Sequence, residues 1–336
     1  MAELNWSDAQ WQKVNDAVNE AFGKASVASA FLPLYGPLSG SAEIVRNERL
    51  KEDRDATSRR TTISLDTDHR GVNLKLINLT VNVQLSSEQV ADETLSNALL
   101  AFRRAANILA QEEDRIVFAG FRRGPRRDDS EFVVNAVEAQ RGLADRPTRR
   151  QRFADLKETN GNPVDLANTK DLRVIGQLVV TAVVNAIREL EESSNPAPFA
   201  CVLGNFLFNK VHEPSESLVL PADRITPLLK GGPLLRSGKM DDNAGIIVSL
   251  AGNAVDIVVG TPPTVQFLQR TEAAKFLFRV YERFVLRIRD EEKPPVAGFR
   301  IRPTTEKADL IREATALVAL ADATRATAEA ELQKLQ

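Results

Sequence analysis

Apolar residues recur every three or four positions near the start of this chain. Trp11, Val14, Ala17, Val18, Ala21 and Phe22 fall on one side of a helix expected over 7–24. Ser7 offers a side-chain oxygen to cap it, and Asp8 suits the positive end of its dipole. Gly23 and the small residues after it end the pattern. Pro33, Gly36 and Pro37 then impose an extended path. From 43 to 69 the chain is densely charged and poorly periodic. Strand character returns over 61–65 and again over 72–85, through Leu74, Leu76, Leu79, Val81, Val83 and Leu85. A charged connection between strand-like arms predicts a two-stranded excursion from the body. Such an arm is too thin to be stable alone and should lie on another subunit.

The strongest helical signal covers 92–116, with Asp92 as its cap. Leu95, Ala98, Leu99, Phe102, Ala105, Ala106 and Leu109 keep the i, i+3, i+4 rhythm. A polar, arginine-rich stretch follows to residue 168, broken at Pro125, Pro147 and Pro163, with a strand expected over 132–136. Asn168 is placed to cap a second long helix whose inner face carries Leu172, Ile175, Val179, Val183, Ile187 and Leu190. Pro196 and Pro198 stop it. A buried strand over 199–203 and a helical piece over 205–211 come next. Strands hinged on glycine and proline are expected at 245–250, 255–259, 264–268, 276–288 and 296–301. Residues 304–336, rich in Ala, Glu, Leu and Lys, read as a terminal helix. The fold class is α+β.

With 336 residues, 43% hydrophobic and 27% charged, the chain suits one large domain or two smaller ones. A net charge of -2 gives no global attraction to nucleic acid or an anionic membrane. Arginines cluster at 122–123, 126–127 and 149–150, interleaved with acids. That stretch reads either as a solvated or subunit-contact loop or as a patch facing a polyanion. The single cysteine, Cys201, allows no internal disulfide. The first residues lack the basic-then-apolar order of a signal peptide, and no apolar run is long enough to span a bilayer. A cytoplasmic protein with no membrane partner is expected.

Site chemistry is sparse. His69 and His212 lie in unrelated segments, neither with a second ligand at zinc spacing, so no metal is expected. The Gly231-Gly232 pair lacks the lysine and hydroxyl residue of a phosphate loop. Glu112, Glu113 and Asp114 are expected at the surface, solvated or ion-paired, at the end of an amphipathic helix. Glu282 sits inside an apolar strand, where an unpaired charge is costly. It reads as a solvent-facing position of that strand or as an ion pair across a subunit boundary, with Arg279 or Arg283 as partner. No cofactor, catalytic residue or enzymatic activity is expected.

The order of these parts resembles the encapsulins, nanocompartment shell proteins with the fold of tailed-phage major capsid proteins. Carrying the resemblance are the opening helix with Trp11 and Phe22 and the run Phe31-Leu32-Pro33-Leu34-Tyr35-Gly36-Pro37. The segment 98–120 with its Glu-Asp step, the glycine pair after Leu228, the strand over 246–249 and Tyr281-Glu282-Arg283-Phe284 add to it. The resemblance implies an N-terminal helix and arm over 1–42 and an extended loop over 43–85. It implies a peripheral domain with a spine helix over 86–204 and 241–303, carrying an insertion at about 121–168. It also implies an axial domain over 205–240 and a C-terminal extension over 304–336. Its implied function is self-assembly of on the order of sixty or more copies into an icosahedral shell that encloses a cargo enzyme. A prophage major capsid protein is the alternative, disfavoured because the capsid-like pattern begins almost at Trp6.

Partners implied by the resemblance are the chain itself and a cargo protein held through a short terminal targeting peptide; nucleic acid is not expected. Cargo-binding positions carried over are Phe22, Val27, Phe31 and Leu34, with Val258, Val265 and Phe267 opposite. Pore-lining positions carried over are His212, Glu213 and Glu216. Thr261-Pro262-Pro263 departs from the family's run at that place, and Ser86 stands where some relatives have a flavin-binding aromatic. No flavin is therefore expected.

Overall fold

The computed structural model describes residues 4–54, 61–66, 73–121, 141–144, 172–214, 219–271, 273–290 and 292–301. Its first helix, α1 (Asp8–Ala25), starts at a capping box: Ser7 accepts from the Gln10 amide while the Gln10 side chain accepts from the Ser7 amide. Val14, Ala17, Val18 and Phe22 are its buried face. The chain then runs extended through β1 (Leu34–Tyr35), which lies parallel to β10 (Val255–Arg270). Gly36 holds a φ of +129° there, and a Cβ would stand 2.3 Å from the Val259 carbonyl oxygen. Only glycine permits that approach.

Besides the strand expected over 61–65, the charged stretch holds two strands the hydrophobic pattern does not reveal, β2 (Ile44–Arg46) and β3 (Arg49–Arg54). β2 pairs with β5 (Asn73–Lys75), and β3 pairs with β4 (Thr61–Asp66). The long strand expected over 72–85 divides at Leu76: β5 belongs to the arm, and β6 (Ile77–Leu85) joins the body sheet beside β11 (Phe276–Ile288). The first body sheet runs β1-β10-β11-β6. Two strands expected at 255–259 and 264–268 are one, β10, with register shifts around Thr261 and Thr264. Pro262 and Pro263 are accommodated in that irregular stretch, beyond the reach of β1, where no neighbour needs their missing N–H groups.

The helix expected from Asp92 begins later. A short α2 (Ser87–Ala91) precedes it, capped by Ser86. Leu95 adopts a left-handed φ of 57° and separates α2 from the spine helix α3 (Ser96–Ala119). Asp92 accepts instead from the Thr94 and Ser96 amides. α1 and α3 pack together on one face of the first sheet, against β10, β6 and β11. Val45, Leu76, Val258 and Val285 form a small core on its other face, at the root of the arm.

A second sheet runs β12-β9-β7-β8, from β12 (Val296–Arg300), β9 (Ala244–Ser249), β7 (Phe199–Gly204) and β8 (Leu234–Ser237). Every residue of β7 and β9 is buried. Ala200, Val202, Ile246 and Val248 face the core of the first sheet; Phe199, Cys201, Leu203 and Ile247 face α4 (Leu172–Glu192) and α5 (Asn205–Val211). Burial on both faces explains the unbroken apolar runs of these strands. Each large side chain so buried contributes about 1.5–3 kcal/mol before entropy is counted. A short α6 (Pro221–Ile225) packs on α4. The expected strand over 132–136, the helix cap at Asn168 and the tail helix over 304–336 lie outside the described residues.

Candidate functional site

α1 is fastened to the wall by polar contacts at both ends. The Trp6 indole donates to the Val90 carbonyl at 3.0 Å, and Trp6 stacks on Phe278 with ring centroids 5.0 Å apart. Asn15 accepts from the Val265 amide at 3.1 Å, tying mid-helix to β10. At the far end the Asp114 carboxylate of α3 accepts from the Val27 amide at 2.9 Å, the Ala28 amide at 2.8 Å and the Ser26 hydroxyl at 3.3 Å.

Against this frame the carried-over cargo positions separate. Phe22, Val27, Phe31, Val265 and Phe267 all join the main core around α1, α3 and β10. Phe22 and Phe31 are each 8% exposed, and Phe31 stacks on Phe118. Val27 and Phe267 are the half-buried members, at the edge of that core. Val258 is fully buried on the opposite sheet face under the arm, so it does not meet the others. The cause is strand alternation: Val258 is an odd number of residues from Val265 and Phe267, which share the core face with Val255 and Ile257. Leu34 sits on the edge strand β1 paired with Ile257, and is exposed. What the apolar pattern missed is a polar recess of about 340 Å³ between α1 and α3, lined by Gln12, Lys13, Asp16, Glu20, Leu99 and Arg103. Its charges stand on the outer face of α1 and, at Arg103, on α3, positions that a search for buried faces passes over.

Two of the carried-over pore positions lie side by side. His212 follows α5, its ring 4.3 Å from Phe208 and its Nδ1 2.8 Å from the Phe208 carbonyl oxygen. Glu213 is exposed and paired with Lys210 at 2.7 Å, so its charge is largely offset. Glu216 lies outside the described residues.

The carboxylates expected at the surface are inside. Glu112, Glu113 and Asp114 are 7%, 3% and 2% exposed, because they continue the buried face of α3 between Leu109 and Ile116. Glu112 pairs with Arg115 at 2.5 Å. Glu282 is 3% exposed and points neither to solvent nor to an arginine. Arg279 binds Gln266, and Arg283 reaches the Gly40 and Ala42 carbonyls, both from the alternate face of β11. Glu282 shares the core face with Phe278, Val280 and Phe284. Burial pushes the Glu113 carboxyl up to about 8, and the Asp114 charge adds to the rise. Burial also lifts Asp114 to about 6, against the lowering pull of its hydrogen bonds and of Lys239. Glu282 is held well above the usual carboxylate range by burial and by the charges of Glu113 and Asp114. Among the described residues no group of three or more metal-ligating side chains is arranged to hold an ion. No described helix is long and apolar enough to cross a membrane.

Residues 3–125 and 163–285 match the Linocin M18 family, described as an encapsulating protein for peroxidase. The chain belongs to this family. It is therefore a shell protein of the encapsulin type, and the family match decides against the prophage capsid alternative. The match omits 126–162, inside the segment where the resemblance implied an insertion. Among curated proteins, the type 1 encapsulin shell protein EncA of Myxococcus xanthus is 23% identical over 297 residues, 86% of this chain and 92% of that one. Among solved structures, the virus-like particle from Pyrococcus furiosus is similar with a TM-score of 0.58 and 16% identity, over 86% of this chain and 99% of that chain. The capsid of Myoviridae phage XM1 is similar with a TM-score of 0.50 and 15% identity, over 80% of this chain and 89% of that one. These likenesses establish the tailed-phage capsid fold.

Proposed function

We propose that many copies of this chain close into an icosahedral shell, on the order of sixty or more, that holds a cargo enzyme in the cytoplasm. One observation carries the reading. The β3–β4 ladder is only two strands thick, and its Ile63 and Leu65 are 71% and 50% exposed. A ladder of that kind gains its stability from a surface outside its own chain. In a shell whose subunits share one heterologous contact, that surface is a neighbour. The 43–85 stretch is then the extended loop, 205–240 the axial domain, and the region around α3 the peripheral domain.

Cargo is held through a short targeting peptide on the inner wall beside α1. Val27 and Phe267, half-buried at the edge of the core, are the carried-over positions best able to meet it. The segment after α5, with His212, Glu213 and Glu216, lines a pore at a symmetry axis. The test is negative-stain microscopy and sedimentation of the chain expressed alone and then purified from its native host. Uniform hollow particles in the first preparation, and a co-purifying protein in the second, are expected. Monomers or dimers at every salt and protein concentration would end the shell reading; empty native particles would remove the cargo.

A further inference from the structure

The shell reading leaves the buried carboxyls of the wall without a role. Glu113 on α3 and Glu282 on β11 are each 3% exposed. Glu113 Oε2 and Glu282 Oε1 are buried without a hydrogen-bond partner. The two lie within electrostatic reach of each other and of Asp114. Among the described residues, their surroundings supply no compensating charge. On α3, Arg115 is taken up by Glu112. On β11, Arg279 and Arg283 point to the opposite face. β6 brings no charged residue, and the near end of α1 carries only Glu20 and Lys24, paired with each other in solvent. On β10, Asp256 is committed to Arg287. Lys239 in the β8–β9 turn acts on Asp114. Asp114 is also satisfied by the Val27 and Ala28 amides, so it can stay charged where its neighbours cannot.

We propose that Glu113 and Glu282 form a proton-operated latch between α3 and β11: neutral, it closes the seam through the middle of the wall; stripped of its protons, it forces the seam apart. Two anions in an apolar core with no counter-ion are not tolerated, so the chain must protonate them or open. The direction in pH follows. Both groups bind protons more tightly folded than unfolded, so their stabilising effect is complete below the ordinary glutamate range and is lost as pH rises through about 8, where Glu113 titrates. The wall is therefore alkali-labile. Asp114, charged above about pH 6, adds a negative neighbour that raises both groups further.

The latch belongs to the fold of a single chain, so its test does not depend on assembly. Thermal unfolding of the full chain, assembled or not, is followed from pH 5.5 to 9.5. Wild type is expected to lose roughly 5–10 °C in Tm across the upper half of that range. E282Q and E113Q keep the shape without the titration and should flatten the slope by at least half, whatever they do to the absolute Tm. The exposed control E93Q should keep the wild-type slope. An infrared carboxylic-acid band at neutral pH, present in wild type and reduced in E282Q, is the second measurement and does not require the variant to be stable. Wild-type slopes in both latch variants, or no acid band in wild type, would overturn the proposal.

Discussion

At the scale of single residues, Arg287 and Asp256 form a buried ion pair within the wall. The guanidinium binds the carboxylate through two nitrogens at 2.8 and 2.5 Å, with the side chains 7% and 5% exposed. Arg289 approaches the same carboxylate at 3.7 Å, and Tyr35 covers Arg287 with its ring 4.7 Å from the guanidinium carbon. Removing one partner of such a pair leaves the other charge buried. D256A should therefore cost about 3–5 kcal/mol, while D256L combined with R287M should recover most of that loss. Urea denaturation of the two variants checks this; a double variant no more stable than the single one would show that packing, not charge, holds the site. Phe31 teaches a related point. It is stacked on Phe118 inside the core, so a charge placed there would test folding and not cargo. The buried carboxyls were partly legible from sequence. Glu282 has the same strand parity as Phe278, Val280 and Phe284, and Glu113 and Asp114 follow Leu109 and Ala110 by one helical turn. Residue type argued for the surface, whereas phase argued for the core, and phase was right.

At the scale of elements, long periodic helices and alternating strands could be read well, because one buried face imposes a period on the sequence. α1 and β11 lie where the pattern put them. The arm strands β2 and β3 could not be read, since β2 buries only Val45, too little to show a period, and none of residues 49–53 is buried by this chain. Their anchorage is polar: the Leu50 amide donates to the Arg289 carbonyl, Asn47 donates to Ile288, and Lys293 pairs with Glu52. The arm thus has a fixed root and an uncovered ladder. Replacing residues 49–66 by a short glycine-serine link should leave the two body sheets folded, with Tm changed by only a few degrees, yet abolish closure into particles. Circular dichroism and sedimentation distinguish the outcomes; intact cages from the shortened chain would show that the arm does not join neighbours.

At the scale of the whole molecule, stability is unevenly shared, and the unevenness reports the assembly. β10 and β11 are paired with each other along most of their length and flanked by α1 and α3, so their amides open only when the chain unfolds. The β3–β4 ladder has the same backbone pairing but exposed side chains along β4, so its protection must come from elsewhere. Hydrogen exchange should therefore separate the two by assembly state. In dissociated chains, amides at 51–53 and 62–65 should exchange on the scale of a flexible hairpin while those at 278–286 stay protected. In closed particles the arm amides should slow by two orders of magnitude or more and the β11 amides should hardly change. If the arm exchanges equally fast in both states, neighbours do not complete it, and the curvature and closure of the wall must be carried by contacts between the sheet-bearing bodies alone.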